Sequence, residues 1–90
     1  MVIEIATFRV TVEEAAFVEL DARVQTDFVY QQRGCVRRTT ARASDGEWLV
    51  LTFWNSMTDA ENAGASDDPL WREFLEGIED LAVRRYTALD

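Results

Sequence analysis

Two segments of the chain carry apolar side chains at both odd and even positions. Residues 2–10 (VIEIATFRV) are rich in β-branched residues, and residues 47–54 (EWLVLTFW) have the strongest strand pattern in the sequence. Successive side chains of a strand point to opposite faces of a sheet, so a strand that is apolar at both parities is covered on both faces. The sequence therefore predicts two central strands.

A helix and a hairpin are predicted between and around these strands. Apolar residues at helical spacing, preceded by a capping-box pattern of Thr11 and Glu14, predict a helix over residues 12–32. Gly34 is expected to end it in a left-handed conformation. Residues 35–42 have the composition of a second strand, which an Asp-Gly turn joins to the strand over 47–54.

The last third of the chain predicts a broken helix and a final strand. Ser56 is expected to cap a short helix that ends near Gly64. Asp68 before Pro69 predicts the start of a second helical piece, because proline is favoured at the first helical position. Residues 81–89 (LAVRRYTAL) alternate as a strand.

The predicted order is β-α-β-β-α-β, which is the ferredoxin-like α+β fold with a four-stranded antiparallel sheet. At 90 residues the chain forms a single domain over 1–90. Helices cover only one face in this topology, and the open face is expected to present an apolar patch, made of Phe8, Val10, Trp48, Val50 and Trp54. A patch of this size predicts a homodimer, in which a second copy covers it.

Charge and composition exclude several classes of function. Seventeen acidic against nine basic side chains give a formal net charge of −8, which disfavours nucleic acid and anionic membranes as partners. The N-terminal sequence lacks the pattern of a signal peptide, so a cytoplasmic location is expected. The chain has no histidine, which excludes a Ser-His-Asp triad and His-ligated zinc or haem. The single Cys35 is interpreted as a packing residue.

Three stretches resemble the antibiotic biosynthesis monooxygenase superfamily. They are the opening strand VIEIATFRV, the Gly34–Cys35 pair after the first helix, and LVLTFWNSMTDAENA at 49–63. The resemblance extends over nearly the whole chain. It implies a dimeric α/β barrel, in which two ferredoxin-like domains pair through their sheets, and it indicates fold better than activity.

Departures from the family pattern restrict the activity that the resemblance implies. Many members have a histidine where this chain has Gly64, and the haem-degrading branch has an asparagine where this chain has Ala6. The branch that oxidises polyketide-derived phenols is more similar. Its members need no metal or organic cofactor and use Trp, Asn, Tyr and Arg around a hydrophobic cavity, so no cofactor and no metal site are expected.

Four residues on the expected cavity face are candidates for ligand contact. Trp54 and Trp48 could stack on a flat aromatic ligand and donate a hydrogen bond, or they could pack in an interface. Thr52 shares their parity on the same strand, and Phe8 lies on the neighbouring strand. A ligand-binding role is predicted for Trp48, Thr52 and Phe8, and a catalytic role for Trp54.

Polar candidates complete the predicted site. Asn55 could bind a substrate carbonyl or phenol, or act as a turn residue, and Tyr86 could donate its hydroxyl into the cavity. The predicted strands contain two pairs of neighbouring arginines, and each pair sends one guanidinium to each face of the sheet. Strand parity favours Arg38 and Arg84 for the cavity. There they would bind a carboxylate or phenolate, or else form ion pairs.

Three functions remain open from the sequence. The first is a cofactor-independent monooxygenase acting on a small aromatic, polyketide-like compound, in which the protein orients a substrate anion that itself activates dioxygen. The second is a ligand-binding or accessory dimer without catalysis. The third is an isomerase or cyclase of a small acid, for which Glu4 is the acidic residue of the first strand.

Overall fold

A computed structural model describes residues 1–89 and contains four strands and three α-helices. The elements are β1 (Val2–Val10), α1 (Glu14–Asp27), β2 (Cys35–Arg42), β3 (Trp48–Trp54), α2 (Met57–Gly64), α3 (Pro69–Glu76) and β4 (Ile78–Thr87). A short 3₁₀ turn, Val29–Gln31, lies between α1 and β2. None of the helices within residues 1–89 is long and apolar enough to cross a membrane.

The strands form one antiparallel sheet in the order β2-β3-β1-β4. β1 and β3 occupy the centre, as their apolar residues at both parities predict. The order of elements and the pairing confirm the predicted ferredoxin-like α+β fold, with its second helix divided into α2 and α3. The dimeric barrel is not tested by a single chain and stays a prediction.

The helices pack on one face of the sheet through an aromatic cluster. The Phe17 ring of α1 lies 5.8 Å from Phe8 of β1, 5.0 Å from Trp48 of β3 and 5.5 Å from Phe74 of α3, measured between ring centroids. Phe17 and Val24 are fully buried. Aromatic rings supply large apolar area, so this cluster anchors both helices to the two central strands.

The predicted assignment of the two sheet faces is wrong. The residues expected on the open face, namely Phe8, Val10, Trp48, Val50 and Trp54, all belong to the core under the helices or pack against it. The open face instead carries the other parity, which includes Ile3, Ile5, Leu49, Leu51 and Phe53. Each of these five is only partly buried. Because both parities of β1 and β3 are apolar, alternation alone could not decide which set the helices cover.

Helix α1 is shorter than predicted at both ends. It begins at Glu14 without a side-chain cap, and the Thr11 amide instead donates to the Gly77 carbonyl at 2.9 Å. The capping box is therefore absent. At the other end, Phe28 leaves the helical conformation and the 3₁₀ turn follows.

Several local signals are confirmed. Gly34 has a φ of +81°, and a Cβ at this position would overlap the Asp59 carboxylate. The Ser56 hydroxyl accepts from the Asp59 amide at 3.1 Å and the Asp68 carboxylate accepts from the Leu70 amide at 2.9 Å, which are the predicted N-caps of α2 and α3. β4 begins three residues earlier than predicted, at Ile78 directly after Gly77.

Candidate functional site

A cavity of about 230 Å³ lies between the helices and the face of the sheet that they cover. Its roof contains the Phe28, Trp71 and Phe74 rings, which are stacked with centroid separations of 5.2 and 5.3 Å and interplanar angles of 13° and 7°. Phe28 directly follows α1, and the other two rings come from α3. The flat walls and predominantly apolar lining suit a planar aromatic molecule.

The cavity opens at the edge strand β4. Leu81 and Val83 line it and are 46% and 44% exposed, whereas Phe8 and Trp54 at the other side of the floor are 2% and 3% exposed. Gly64, at the end of α2, lies on the opposite rim. A small residue at this point leaves the opening between α2 and β4 unobstructed.

The first polar group in the cavity is centred on Glu4. Its Oε2 accepts from the Arg85 Nε at 2.6 Å, and its Oε1 accepts from the Trp54 indole at 3.3 Å. Both charged side chains are largely covered, with 28% exposure for Arg85 and 17% for Glu4. The charge-assisted bond fixes the arginine fork and holds the Glu4 carboxylate in one orientation.

The second polar group is Arg38 of β2. Its guanidinium donates from Nη2 to Asp21 at 2.7 Å and from Nη1 to Gln25 at 3.2 Å, so two residues of α1 hold it. The side chain is 2% exposed, and its guanidinium carbon lies 5.7 Å from the centroid of the Phe74 ring. Arg38 therefore presents a fixed cation to the cavity.

Four of the predicted site residues line the cavity, namely Arg38, Thr52, Trp54 and Phe8. The proposed roles of these residues stay predictions. Trp48 is buried against Phe17 of α1 and does not line the cavity, so its contribution is to core packing.

The other three predicted residues lie elsewhere. Asn55 is exposed in the loop after β3, where its backbone N–H donates to the Gly34 carbonyl at 2.8 Å. Arg84 and Tyr86 belong to the opposite parity of β4 and lie on the open face, with the Arg84 guanidinium 5.1 Å from the Tyr86 ring. These three therefore do not line the cavity under the helices, because Asn55 lies beyond the strand and the other two point away from the helices.

The site prediction did not include Arg85, and it named Glu4 only for acid–base catalysis on a small acid. They face each other across β1 and β4 and carry the charges nearest the opening. Glu4 shares a parity with Ala6 and Phe8, so a charged residue on a buried strand face was the available signal.

Cys35 lies at the start of β2, and burial raises the pKa of its thiol above the ordinary value, while the nearby Arg38 charge opposes the shift and the Glu4 charge adds to it. Because thiolate is the reactive form, alkylation by iodoacetamide at pH 8 is expected to be slower in the folded protein than after unfolding in guanidinium. The rate should rise with pH up to values above the ordinary thiol pKa. Equal rates in the folded and unfolded chain would contradict this prediction.

Potential metal ligands are dispersed. Within residues 1–89, no three side chains of the types His, Cys, Asp and Glu come together as a group that could hold a metal ion. Two of the charged residues in the cavity are held by neighbours, Glu4 by Arg85 and Trp54, and Arg38 by Asp21 and Gln25.

The sequence matches no protein-family model and no curated protein sequence. Solved structures are similar over nearly the whole chain. SnoaB, a cofactor-independent oxygenase from Streptomyces nogalater, has a TM-score of 0.82 at 24% identity, covering 99% of this chain and 93% of SnoaB. Rv0793 from Mycobacterium tuberculosis has a TM-score of 0.70 at 17% identity, covering 100% and 97%.

A third similar structure is described as an antibiotic biosynthesis monooxygenase. It has a TM-score of 0.69 at 14% identity, and the similarity covers all of both chains. The resemblance stated from the sequence motifs is therefore confirmed at the level of structure. The chain has the fold of the antibiotic biosynthesis monooxygenases.

Proposed function

We propose that this protein is a cofactor-independent monooxygenase of a small, electron-rich aromatic compound. The observation that carries the proposal is the aromatic cavity with two fixed guanidinium groups in its lining, Arg38 and Arg85. The fold that it shares with SnoaB supports the same class of reaction. At about 230 Å³ the cavity is smaller than the roughly 300–1,000 Å³ of drug-sized ligand sites. A substrate of one or two fused rings fits this size.

The proposed reaction converts a phenol that is unsubstituted at the para carbon into a quinone. The phenol loses its proton, and the Glu4 carboxylate lining the cavity is the proposed acceptor. One electron passes from the phenolate to dioxygen, and the two radicals combine to form a carbon–oxygen bond at the para position. The resulting peroxide takes up a proton. Loss of the para C–H proton then breaks the O–O bond, and hydroxide leaves and is protonated to water, so that phenol and dioxygen give quinone and water.

The protein's contribution is to stabilise the phenolate and to exclude water. A guanidinium that is already oriented stabilises developing negative charge without reorganisation, which makes fixed dipoles and charges effective in a covered site. Asp21 and Gln25 orient Arg38 in this way, and Glu4 orients Arg85. The stacked roof excludes solvent from the ring and positions it for oxygen attack.

The proposal is tested with 1-naphthol as substrate, in air and under nitrogen. Oxygen uptake and formation of 1,4-naphthoquinone are expected only with protein and oxygen together, and at a lower rate with the Arg38→Gln variant. An Arg37→Gln variant is the matched control, because Arg37 is the neighbouring residue of β2 and points to the open face of the sheet, away from the cavity. Absence of oxygen-dependent turnover with both 1-naphthol and 1,5-dihydroxynaphthalene would refute the proposal.

Acid–base catalysis on a small acid is the second candidate, and the presence of Glu4 in the cavity favours it. In this reading Glu4 moves a proton between two carbons of the substrate and no oxygen is consumed. Proton exchange between the substrate and heavy water under nitrogen, lost in the Glu4→Gln variant, would support this function. Retention of this exchange activity by the Glu4→Gln variant would rule out acid–base catalysis by Glu4.

We also infer that two copies pair through the open sheet face. Partly buried apolar side chains form this face, namely Ile3, Ile5, Leu49, Leu51 and Phe53. An uncovered apolar sheet face is unfavourable in water, and pairing with the same face of a second copy removes it from water.

A charge at the centre of this face is expected to separate the copies. Leu51 lies on the central strand β3, opposite Ile5 of β1 and Thr39 of β2. The Leu51→Asp variant should sediment as a monomer at concentrations where the unmodified protein is a dimer. Val18→Asp is the control, because Val18 is 52% exposed on α1, the helix on the other side of the sheet. A monomeric unmodified protein would contradict the inferred dimer.

A further inference from the structure

Four polar side chains form one row across the whole sheet. The register places Arg38 of β2 opposite Thr52 of β3, Thr52 opposite Glu4 of β1, and Glu4 opposite Arg85 of β4. All four line the cavity, so all four point to the helix side. With neighbouring strands about 4.8 Å apart, the backbone of this row spans about 14 Å from β2 to β4.

The next row of the floor is mostly apolar. Two residues along the strands, on the same side of the sheet, the register aligns Thr40, Val50, Ala6 and Val83. Val50, Ala6 and Val83 line the cavity. The polar row therefore crosses an apolar floor as a single band, under a roof of aromatic rings. A ring that lies on this floor can make hydrogen bonds to the four polar side chains along the direction of the band.

The two ends of the row differ in their access to water. Arg38 is 2% exposed and gives two of its donors to Asp21 and Gln25. The Arg85 side chain is 28% exposed and uses Nε for Glu4. Its Nη2 lies 3.3 Å from the point that a Cβ on Gly64 would occupy, which places the end of the guanidinium at the rim of the cavity.

We propose that the ligand of this cavity is a small aromatic acid, whose carboxylate binds Arg85 at the rim and whose hydroxyl or carbonyl oxygen reaches Thr52 and Arg38 inside. Moving a carboxylate into an apolar interior without full pairing is costly, so the rim, where water remains, is the favourable place for the anion. A neutral oxygen costs less to bury and matches the Thr52 hydroxyl and the Arg38 guanidinium. The proposal deepens the proposed function, since it assumes that the same cavity holds the substrate.

Gly64 is a specificity-determining residue in this arrangement. Its missing side chain leaves the space beside Arg85 Nη2 where the carboxylate would lie, and a Cβ there would already be in tight contact with the guanidinium. Gly64 has no left-handed φ, so a substitution strains the backbone little. A Gly64→Val variant is therefore expected to fold and to lose the preference for acids.

Binding under nitrogen tests the proposal without relying on turnover. Isothermal titration calorimetry is carried out with 6-hydroxy-2-naphthoate, 2-naphthoate and 2-naphthol. The hydroxy acid is expected to bind at least about 10-fold more tightly than 2-naphthol, because a hydrogen bond to a charged group contributes more than a neutral one. In Arg85→Gln this advantage should disappear. In Thr52→Val the hydroxy acid should lose roughly 3-fold or more in affinity, while 2-naphthoate is unaffected.

Arg84→Gln is the matched control, because Arg84 is the adjacent residue on the opposite side of β4. It should leave all three affinities unchanged. If Arg85→Gln does not fold, as judged by circular dichroism, Gly64→Val tests the same rim. Equal affinity for 2-naphthol and the hydroxy acid, or equal effects of Arg84→Gln and Arg85→Gln, would overturn the proposal.

The outcome separates this inference from the oxygenase proposal. A preference for the hydroxy acid, together with no oxygen uptake from 1-naphthol or 1,5-dihydroxynaphthalene, supports the acid site and contradicts the oxygenase. Turnover of 1-naphthol without any preference for acids supports the oxygenase and overturns the acid site.

Discussion

Replacement of Phe17 with alanine is expected to lower the free energy of unfolding by about 3–5 kcal/mol, the usual cost of truncating a buried aromatic ring. Phe17 is 0% exposed and contacts rings from three other elements, β1, β3 and α3. Its removal leaves a void where α1 meets the sheet. Urea denaturation followed by tryptophan fluorescence measures the change, since Trp48 lies 5.0 Å from the Phe17 ring.

The adjacent residue supplies the control for this prediction. Val18 is on the same helix and 52% exposed, so Val18→Ala is expected to change the free energy of unfolding by less than about 0.5 kcal/mol. If the alanine variant does not fold, Phe17→Leu is measured instead, with a smaller expected loss of the free energy of unfolding. A loss below about 1 kcal/mol for Phe17→Ala would show that this cluster does not anchor the helix.

The order of elements was readable from the sequence because each boundary has a local cause. Gly34 and Gly46 adopt positive φ values, and Ser56 and Asp68 cap the helices that they precede. Such signals act within a few residues and so survive in any tertiary context. The ends of α1 were less readable, because Thr11 pairs with the distant Gly77 rather than with its own helix.

The orientation of the sheet could not be read in this way. On β3 the odd residues, Leu49 and Leu51, are as apolar as the even residues Val50 and Trp54. Which parity meets the helices depends on packing between distant segments, and the structure assigns it to the even set. The cavity consequently lies under the helices, and three residues that were predicted on the open face, Phe8, Val50 and Trp54, line it.

A bulge in β4 determines which of its two arginines, Arg84 or Arg85, points to the helices. Thr7 pairs with Ala82 and Arg9 with Glu79, so β4 has one more residue than β1 in this interval, next to Asp80 with a φ of +55°. An extra residue reverses the alternation of side chains beyond it. Continued from Ile78, simple alternation selects Arg84 for the helix side, and the bulge brings Arg85 there instead.

Loss of the carboxylate that holds Arg38 is the second large effect that we expect. Asp21→Ala leaves a guanidinium with 2% exposure without its charged partner, and breaking one side of a buried pair costs about 3 kcal/mol. The same variant should weaken turnover, because Arg38 would lose its fixed orientation. Urea denaturation gives the first effect and oxygen uptake with 1-naphthol the second.

The matched comparison for Asp21 is an exposed ion pair that also involves α1. Arg23 of α1 and Glu73 of α3 are 3.7 Å apart, with 52% and 54% exposure, and water screens their attraction. Glu73→Ala is therefore expected to cost less than about 1 kcal/mol. The double variant Asp21→Ala with Arg38→Met should recover part of the stability, since no charge then remains unpaired in the interior. Equal losses for Asp21→Ala and Glu73→Ala would mean that burial does not strengthen the Arg38–Asp21 pair, and Arg38 could then not act as a fixed cation of the cavity.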